Sequence, residues 1–463
     1  MRRTTPGWAA GVLLLLAAPA AAEEPRDTPR PVPLTRPEIK QLLEDMKSRT
    51  PRIPLPELTE EEKARLGERG AGYEARLRAL YLPRGEDGRG GRGFSREPDP
   101  AMTLDYPFKT MMFWIVSRTN NCQYCLGHQE WKLTAVGLSE DDLAALDGDW
   151  SRFPPDKRAA FALARKLTYE PHRLTDADID ALRPHYTDLQ ILEIILSVAG
   201  NNATNRWKEG VGVPQSKEGD NFLRRAEKPL PPEVARYFET FLTPTPEPYR
   251  DRVTKVAPVQ TDPQTGRPSR RTVATRPPLE PRAEAEEALE RCRKRTPRLP
   301  LAEEAKAREV VPDLPEGPVP QWVRLLANFP REGVSRINGL RRAEETGDLT
   351  PMLKAQVSWV VARQDRAWYA AGLAKRRMLE LGATEDEVYQ LDGDWSALPP
   401  SDRSLLNVAR KLAATPIVLT DADVAEALKL NGPRKVVQLI SYVTGRAFFD
   451  RVTEAAGLRL EAE

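Results

Sequence analysis

The sequence predicts an all-α protein, on three observations. Apolar residues recur at helical spacing in segment after segment, and no alternating apolar–polar run is flanked by hairpin turns. One helical unit also occurs twice along the 463 residues. A chain of this length can bury two cores. The net charge is +2 with acidic and basic residues nearly balanced and interleaved, so composition carries no signal for nucleic acid.

Residues 1–22 have the pattern of a secretory signal peptide. Arg2 and Arg3 precede a short apolar run from Val12 to Ala18, and Ala20-Ala21-Ala22 offers small residues for cleavage before Glu23. The run is too short to be read as a membrane span, and no other candidate span follows. The mature chain is therefore expected outside the cytoplasm, periplasmic or extracellular, with no membrane partner. Residues 23–36 form a Pro-rich, charged leader expected to be disordered.

A first helical domain is expected over 37–228. Ile39, Leu42, Leu43 and Met46 give a short helix over Pro37–Arg49, and Glu60–Leu82 has helical spacing. The glycine-rich run Arg84–Gly93 predicts a surface loop. Tyr106–Arg118 is apolar and ends at Thr119-Asn120-Asn121, residues suited to cap a helix starting at Cys122. Helices follow at Ser139–Leu146, at Pro155–Leu167, after Thr175-Asp176, and at Leu189–Trp207, where Ile191, Leu192, Ile194, Ile195 and Val198 form a dense apolar stripe. Residues 229–283 are expected to be a Pro-rich linker with one helix over Pro232–Leu242.

A second domain over 284–463 repeats the first. Arg49-Thr50-Pro51-Arg52 returns as Arg295-Thr296-Pro297-Arg298. Leu146-Asp147-Gly148-Asp149-Trp150 returns as Leu391-Asp392-Gly393-Asp394-Trp395, and Leu174-Thr175-Asp176 as Leu419-Thr420-Asp421, both 245 residues on. That offset places Trp114 on Trp359 and Tyr124 on Tyr369, but Cys122 on Ala367, Cys125 on Ala370 and His128 on Leu373. The tryptophans read as core residues. The cysteines are not needed to make the helix they stand on.

Cys122, Gln123, Tyr124 and Cys125 are followed by Leu126, Gly127, His128 and Gln129. A helix beginning at Cys122 sets that sulfur among free backbone N–H groups that favour a thiolate, and Cys125 lies about one turn on. The pair can cycle between dithiol and disulfide, with either cysteine attacking; it can be an inert disulfide; or it can bind a metal. Haem attachment is excluded because Leu126 follows Cys125. No metal or other cofactor is expected, since a zinc site wants four ligands and only His128 is nearby. Beside the pair, His128 is a candidate proton shuttle. Cys292 reads as a small buried side chain.

The pattern Asn120-x-Cys122-x-Tyr124-Cys125-x-x-His128, with Asn205-Arg206 and Val211-Gly212-Val213 closing a later helix, resembles the alkylhydroperoxidase D and carboxymuconolactone decarboxylase family. The resemblance spans Tyr106 to Val213, and Met352 to Leu458 as a degenerate copy. It implies peroxiredoxin-like reduction of a hydroperoxide or small disulfide substrate, with Cys125 attacking, Cys122 resolving and an external dithiol reductant restoring the pair. It also implies a homo-oligomer, here a trimer of two-domain chains. The family's relay histidine position holds Gln129 here, and its glutamate position holds Thr110; Glu130 and Glu193 are the carboxylates left to consider. The alternative is a non-catalytic helical binding or assembly protein with a structural disulfide.

Overall fold

The computed structural model describes residues 26–67, 72–83, 99–215, 231–262, 264–273, 277–393 and 395–461. The signal-peptide pattern, leader residues 23–25 and the glycine-rich run 84–93 lie outside them. The fold is all-α, with nineteen α-helices among the described residues. Those of the first repeat are α1 (Arg36–Asp45), α2 (Glu60–Leu66), α3 (Tyr73–Tyr81), α4 (Tyr106–Asn120), α5 (Gln123–Ala135), α6 (Glu140–Leu146), α7 (Pro155–Tyr169), α8 (Asp176–Asp180) and α9 (Asp188–Val211). Helix α10 (Pro232–Glu239) follows. The second repeat contains α11 (Arg282–Arg293), α12 (Glu304–Val310), α13 (Gln321–Leu326), α14 (Glu332–Glu345), α15 (Pro351–Asp365), α16 (Trp368–Glu380), α17 (Glu385–Gln390), α18 (Pro400–Ala413) and α19 (Asp421–Ala455).

The repeat in the sequence is a repeat in space. Helices α4 and α5 recur as α15 and α16 with each end displaced by the same 245 residues. Helix α19 corresponds to α8 and α9 run together, and it breaks at Gly432, where φ is +74° and the next residue is Pro433. Local chemistry sets the helix starts. Ser139, Thr187, Thr384 and Thr420 close capping boxes with the residue three positions on, and Pro stands in the first turn of α4, α7, α15 and α18.

Several elements differ from expectation. The helical run Glu60–Leu82 divides into α2 and α3, with α2 ending at Gly67, φ +53°. The leader is ordered from Arg26 onward because the fold uses its backbone. The Arg30 and Pro31 carbonyls accept from Asn121 Nδ2, the Pro33 carbonyl accepts from Arg118, and the Leu34 carbonyl accepts from Thr254 N. The expected linker contains a two-stranded hairpin, β1 (Val259–Thr261) with β2 (Pro268–Val273). Its stretch 254–257 packs on the first repeat, where Lys255 N donates to the Asp147 carbonyl and Val256 is buried. Residues 277–280 do for the second repeat what 30–34 do for the first. Arg366 donates to the Pro277 and Pro278 carbonyls, and Arg363 to that of Glu280. Each repeat therefore begins with an extended strap ahead of its first helix.

The two repeats share one core, centred where α9 packs against α19. Their contact is reciprocal. Arg52 pairs with Asp421 and donates to the Leu419 carbonyl; Arg298 pairs with Asp176 and donates to the Leu174 carbonyl. Arg206 donates to the Ala413 carbonyl at 2.9 Å, and its counterpart Arg451 to the Thr168 carbonyl at 3.1 Å. In these two pairs each arginine meets the counterpart of what its own counterpart meets, as in a two-fold dimer interface. Among the described residues, no helix is long and apolar enough to cross a membrane.

Candidate redox site

Helix α4 ends at Asn121, which takes the left-handed conformation (φ +59°), and the chain turns directly into α5. The asparagines do not cap α5 as expected. Asn120 donates instead to Asn202 and Asn205 on α9, and Asn121 holds the strap. Cys122 is itself the N-cap residue of α5, one position ahead of the first helical residue, and makes no side-chain capping bond. The first-turn N–H groups that a capping oxygen would take are thus left beside the sulfur.

Cys122 and Cys125 are joined in a disulfide, with Cα atoms 5.3 Å apart. Both are buried to within 1% of full coverage. The strap lies over this end of α5 through Asn121 and through Gln123, whose Nε2 donates to the Pro31 carbonyl at 3.4 Å. The same junction in the second repeat has Ala367 at φ −85°, ψ 89°, against φ −82°, ψ 92° at Cys122. Cys122 N donates to the Ser117 carbonyl at 2.9 Å, and Ala367 N to that of Ala362 at 2.8 Å. Alanine and cystine therefore leave the backbone in one and the same conformation.

His128 belongs to another face of α5. At about 100° per residue, Tyr124, Gly127, His128 and Trp131 share a face, while Cys122, Cys125 and Gln129 share another. The His128 ring stacks on Tyr124 with centroids 6.0 Å apart and meets Trp131 edge-on at 6.3 Å. Lys208 lies over the Tyr124 ring at 4.4 Å and pairs with Glu74. Burial pushes the His128 imidazole down to about 3, with Lys132 and Lys208 adding to the shift. It is therefore neutral across the physiological range, and an imidazole held so low is a poor carrier for protons at neutral pH.

Phe241 covers this second face. It stacks on Trp131 with centroids 5.1 Å apart, and a Cβ added at Gly127 would lie 2.9 Å from its ring and 3.2 Å from Gln215 Oε1. Gln215 corresponds to Leu460, which lies against Gly372 in the second repeat. The first repeat thus buries an amide, with both its polar atoms unpaired, where the second buries an apolar side chain. Gln129 Oε1, Gln123 Oε1 and Trp131 Nε1 are also buried without partners, and their counterparts Ala374, Trp368 and Arg376 are different residues. Buried polar atoms in this state call for an explanation that apolar packing does not supply.

The two carboxylates weighed from sequence are both committed elsewhere. Glu130 accepts from Arg36, Tyr237 and Trp114 in a closed network. Burial raises this acid, but Arg36 and the hydrogen bonds outweigh it and hold Glu130 below its ordinary range. Glu193 accepts from Thr103 N and Leu104 N and pairs with Lys109. The acid missed from sequence is Glu209 on α9, 4% exposed, with Oε2 3.2 Å from Arg49 and Oε1 unpartnered. A signal for it was available, because Arg49 and Glu209 recur together as Arg295 and Glu454. Thr110 donates to the carbonyl of Tyr106 within its own helix. Cys292 is buried and free, its thiol pushed up to about 11 by burial, which leaves it unreactive. Among the described residues no group of three or more histidine, cysteine or acidic side chains is arranged to hold a metal. No family model matches the chain, and no curated protein matches it.

Proposed function

We propose that the chain is an exported thiol oxidoreductase of the alkylhydroperoxidase D-like kind, in which the first repeat uses Cys122 and Cys125 to reduce a hydroperoxide. In this reaction the Cys125 thiolate attacks the outer peroxide oxygen. The O–O bond breaks, an alcohol leaves with one proton, and Cys125 becomes a sulfenic acid. The Cys122 thiol then attacks that sulfur, and the disulfide forms as water leaves. An external dithiol returns the two electrons. The second repeat, with Ala367 and Ala370, is a structural partner to the first.

The observation that supports this reading most is the matched junction. Ala367 holds the backbone conformation that Cys122 holds, so the disulfide is not what shapes α5. The unpaired amide oxygens of Gln123 and Gln129, on the helix that carries the pair, point the same way, since a purely structural staple needs no polar surroundings. The test is consumption of a hydroperoxide by the reduced protein, followed with thiol counting. Loss of two thiols per peroxide is expected, and a pair that stays reduced would sink the reading.

One observation favours a second reading, a helical binding or assembly protein with an inert disulfide. Both cysteines are buried, and thiol exchange requires access for the attacking sulfur. Under that reading, the native pair resists a small phosphine reductant until the protein unfolds.

A further inference from the structure

We propose that Glu209 accepts the proton of Cys122 when the Cys122–Cys125 disulfide forms, an inference that rests on the redox reading above. The second repeat shows where a side chain at this helix position reaches. Glu454, the counterpart of Glu209, pairs with Arg295 at 3.0 Å, and its Oε1 accepts from Trp368 N at 2.7 Å and Tyr369 N at 3.4 Å. These are the first-turn N–H groups of α16, immediately after Ala367. The carboxylate therefore caps the helix that in the first repeat begins behind Cys122.

In the first repeat the same acid keeps its arginine and loses its helix. Glu209 Oε2 stays with Arg49, while Oε1, fully enclosed, bonds neither Gln123 N nor Tyr124 N nor any other donor. The backbones of the two repeats agree at the junction, and α5 packs on α9. What differs there is side chain, with Cys122 for Ala367 and Gln123 for Trp368. A buried carboxylate oxygen without a donor carries a large desolvation cost. A thiol is the donor that the first repeat adds at this place. In the oxidised pair that donor is absent, which accounts for the orphaned oxygen in the disulfide state.

The step balances without a further reactant. With Cys125 as sulfenic acid, the Cys122 sulfur attacks the Cys125 sulfur and the S–O bond breaks. The Cys122 proton passes to Glu209 Oε1 and from there to the departing hydroxide, which leaves as water. The Arg49 guanidinium stays paired with Oε2 and is not consumed.

The test is a single-turnover oxidation of the reduced full-length protein by hydrogen peroxide over a range of pH, with thiols counted by mass and sulfenic acid trapped by dimedone. The wild type should lose two thiols and trap little sulfenic acid. Glu209→Gln should close the disulfide about a hundredfold or more slowly, accumulate trapped Cys125 sulfenic acid, and lose the acid limb of the pH profile. A role confined to pairing with Arg49 would lower stability and leave the profile's shape alone. If wild type and Glu209→Gln oxidise equally fast with the same profile, the inference is overturned while the redox reading stands. A wild type that keeps its thiols overturns the redox reading and this inference with it. Should Glu209→Gln not fold, Glu209→Asp decides. Slower closure with the acid limb retained supports the role, and an unchanged rate overturns it.

Discussion

At the scale of single residues, the most informative contrast is between a side chain in one repeat and its counterpart in the other. Replacing both Cys122 and Cys125 by Ser should leave a folded protein that loses no more than about 2 kcal/mol in urea unfolding, because the bridged loop is so short. Loss of cooperative unfolding would mean that the disulfide is a staple after all. The second repeat has its own anomaly in Asp450, which replaces Asn205. Burial pushes its acid well above the ordinary range, Asp365 pushes further, and Arg446 and Arg451 offset only part. Both its carboxylate oxygens lack partners. A carboxyl raised in the folded state binds its proton more tightly there than when unfolded, so its stabilising share belongs to low pH and fades as pH rises above about 4. Asp450→Asn should therefore stabilise the protein by about 1–3 kcal/mol at pH 7, with the gain vanishing towards pH 3. Denaturation midpoints at the two pH values check the sign.

At the scale of elements, the strap is fastened to the start of the helix that carries the disulfide, and its opening is expected to set how readily a reductant reaches the sulfurs. Asn121 fastens it with two hydrogen bonds and also occupies a left-handed position that glycine tolerates. Asn121→Gly keeps the backbone and removes two of the strap's fastenings. At about 1 kcal/mol per bond, the open population should rise roughly thirtyfold. Reduction of the Cys122–Cys125 disulfide by a water-soluble phosphine should quicken in proportion, read as thiols released with time. An unchanged rate would show that reductant reaches the sulfurs by another route. The strap was not legible as an element because Pro-rich, charged composition looks like disorder. Its order comes from carbonyl groups accepting from Arg118, Asn121 and Thr254, which side-chain patterns do not encode.

At the scale of the whole molecule, the chain is a two-fold dimer built from one polypeptide. Arg206 and Arg451 cross between repeats to main-chain carbonyls, each fully buried. Arg451→Ala removes that contact and the buried ion pair with Asp365, which Arg451 holds with both terminal nitrogens. Breaking a buried pair in this way costs about 3–5 kcal/mol. Thermal unfolding should show one transition at a lower temperature, because both repeats share a core. Two separate transitions would contradict a joint core.

The sequence alone determined the all-α class, the second copy of the unit, most helix positions and the cysteine pair. These depend on local periodicity, capping residues and identity at a fixed spacing, all of which are written along the chain. It also placed His128 three residues beyond Cys125, but not the surroundings that set its protonation. In the structure its ring packs against Tyr124 and Trp131, where burial and two lysines keep the imidazole neutral. Only the tertiary structure decided that the sulfurs are enclosed, that Glu130 and Glu193 are already engaged, and that Glu209 is buried with one oxygen unpaired. Those facts depend on burial and on donors supplied by distant segments, which one-dimensional spacing cannot report.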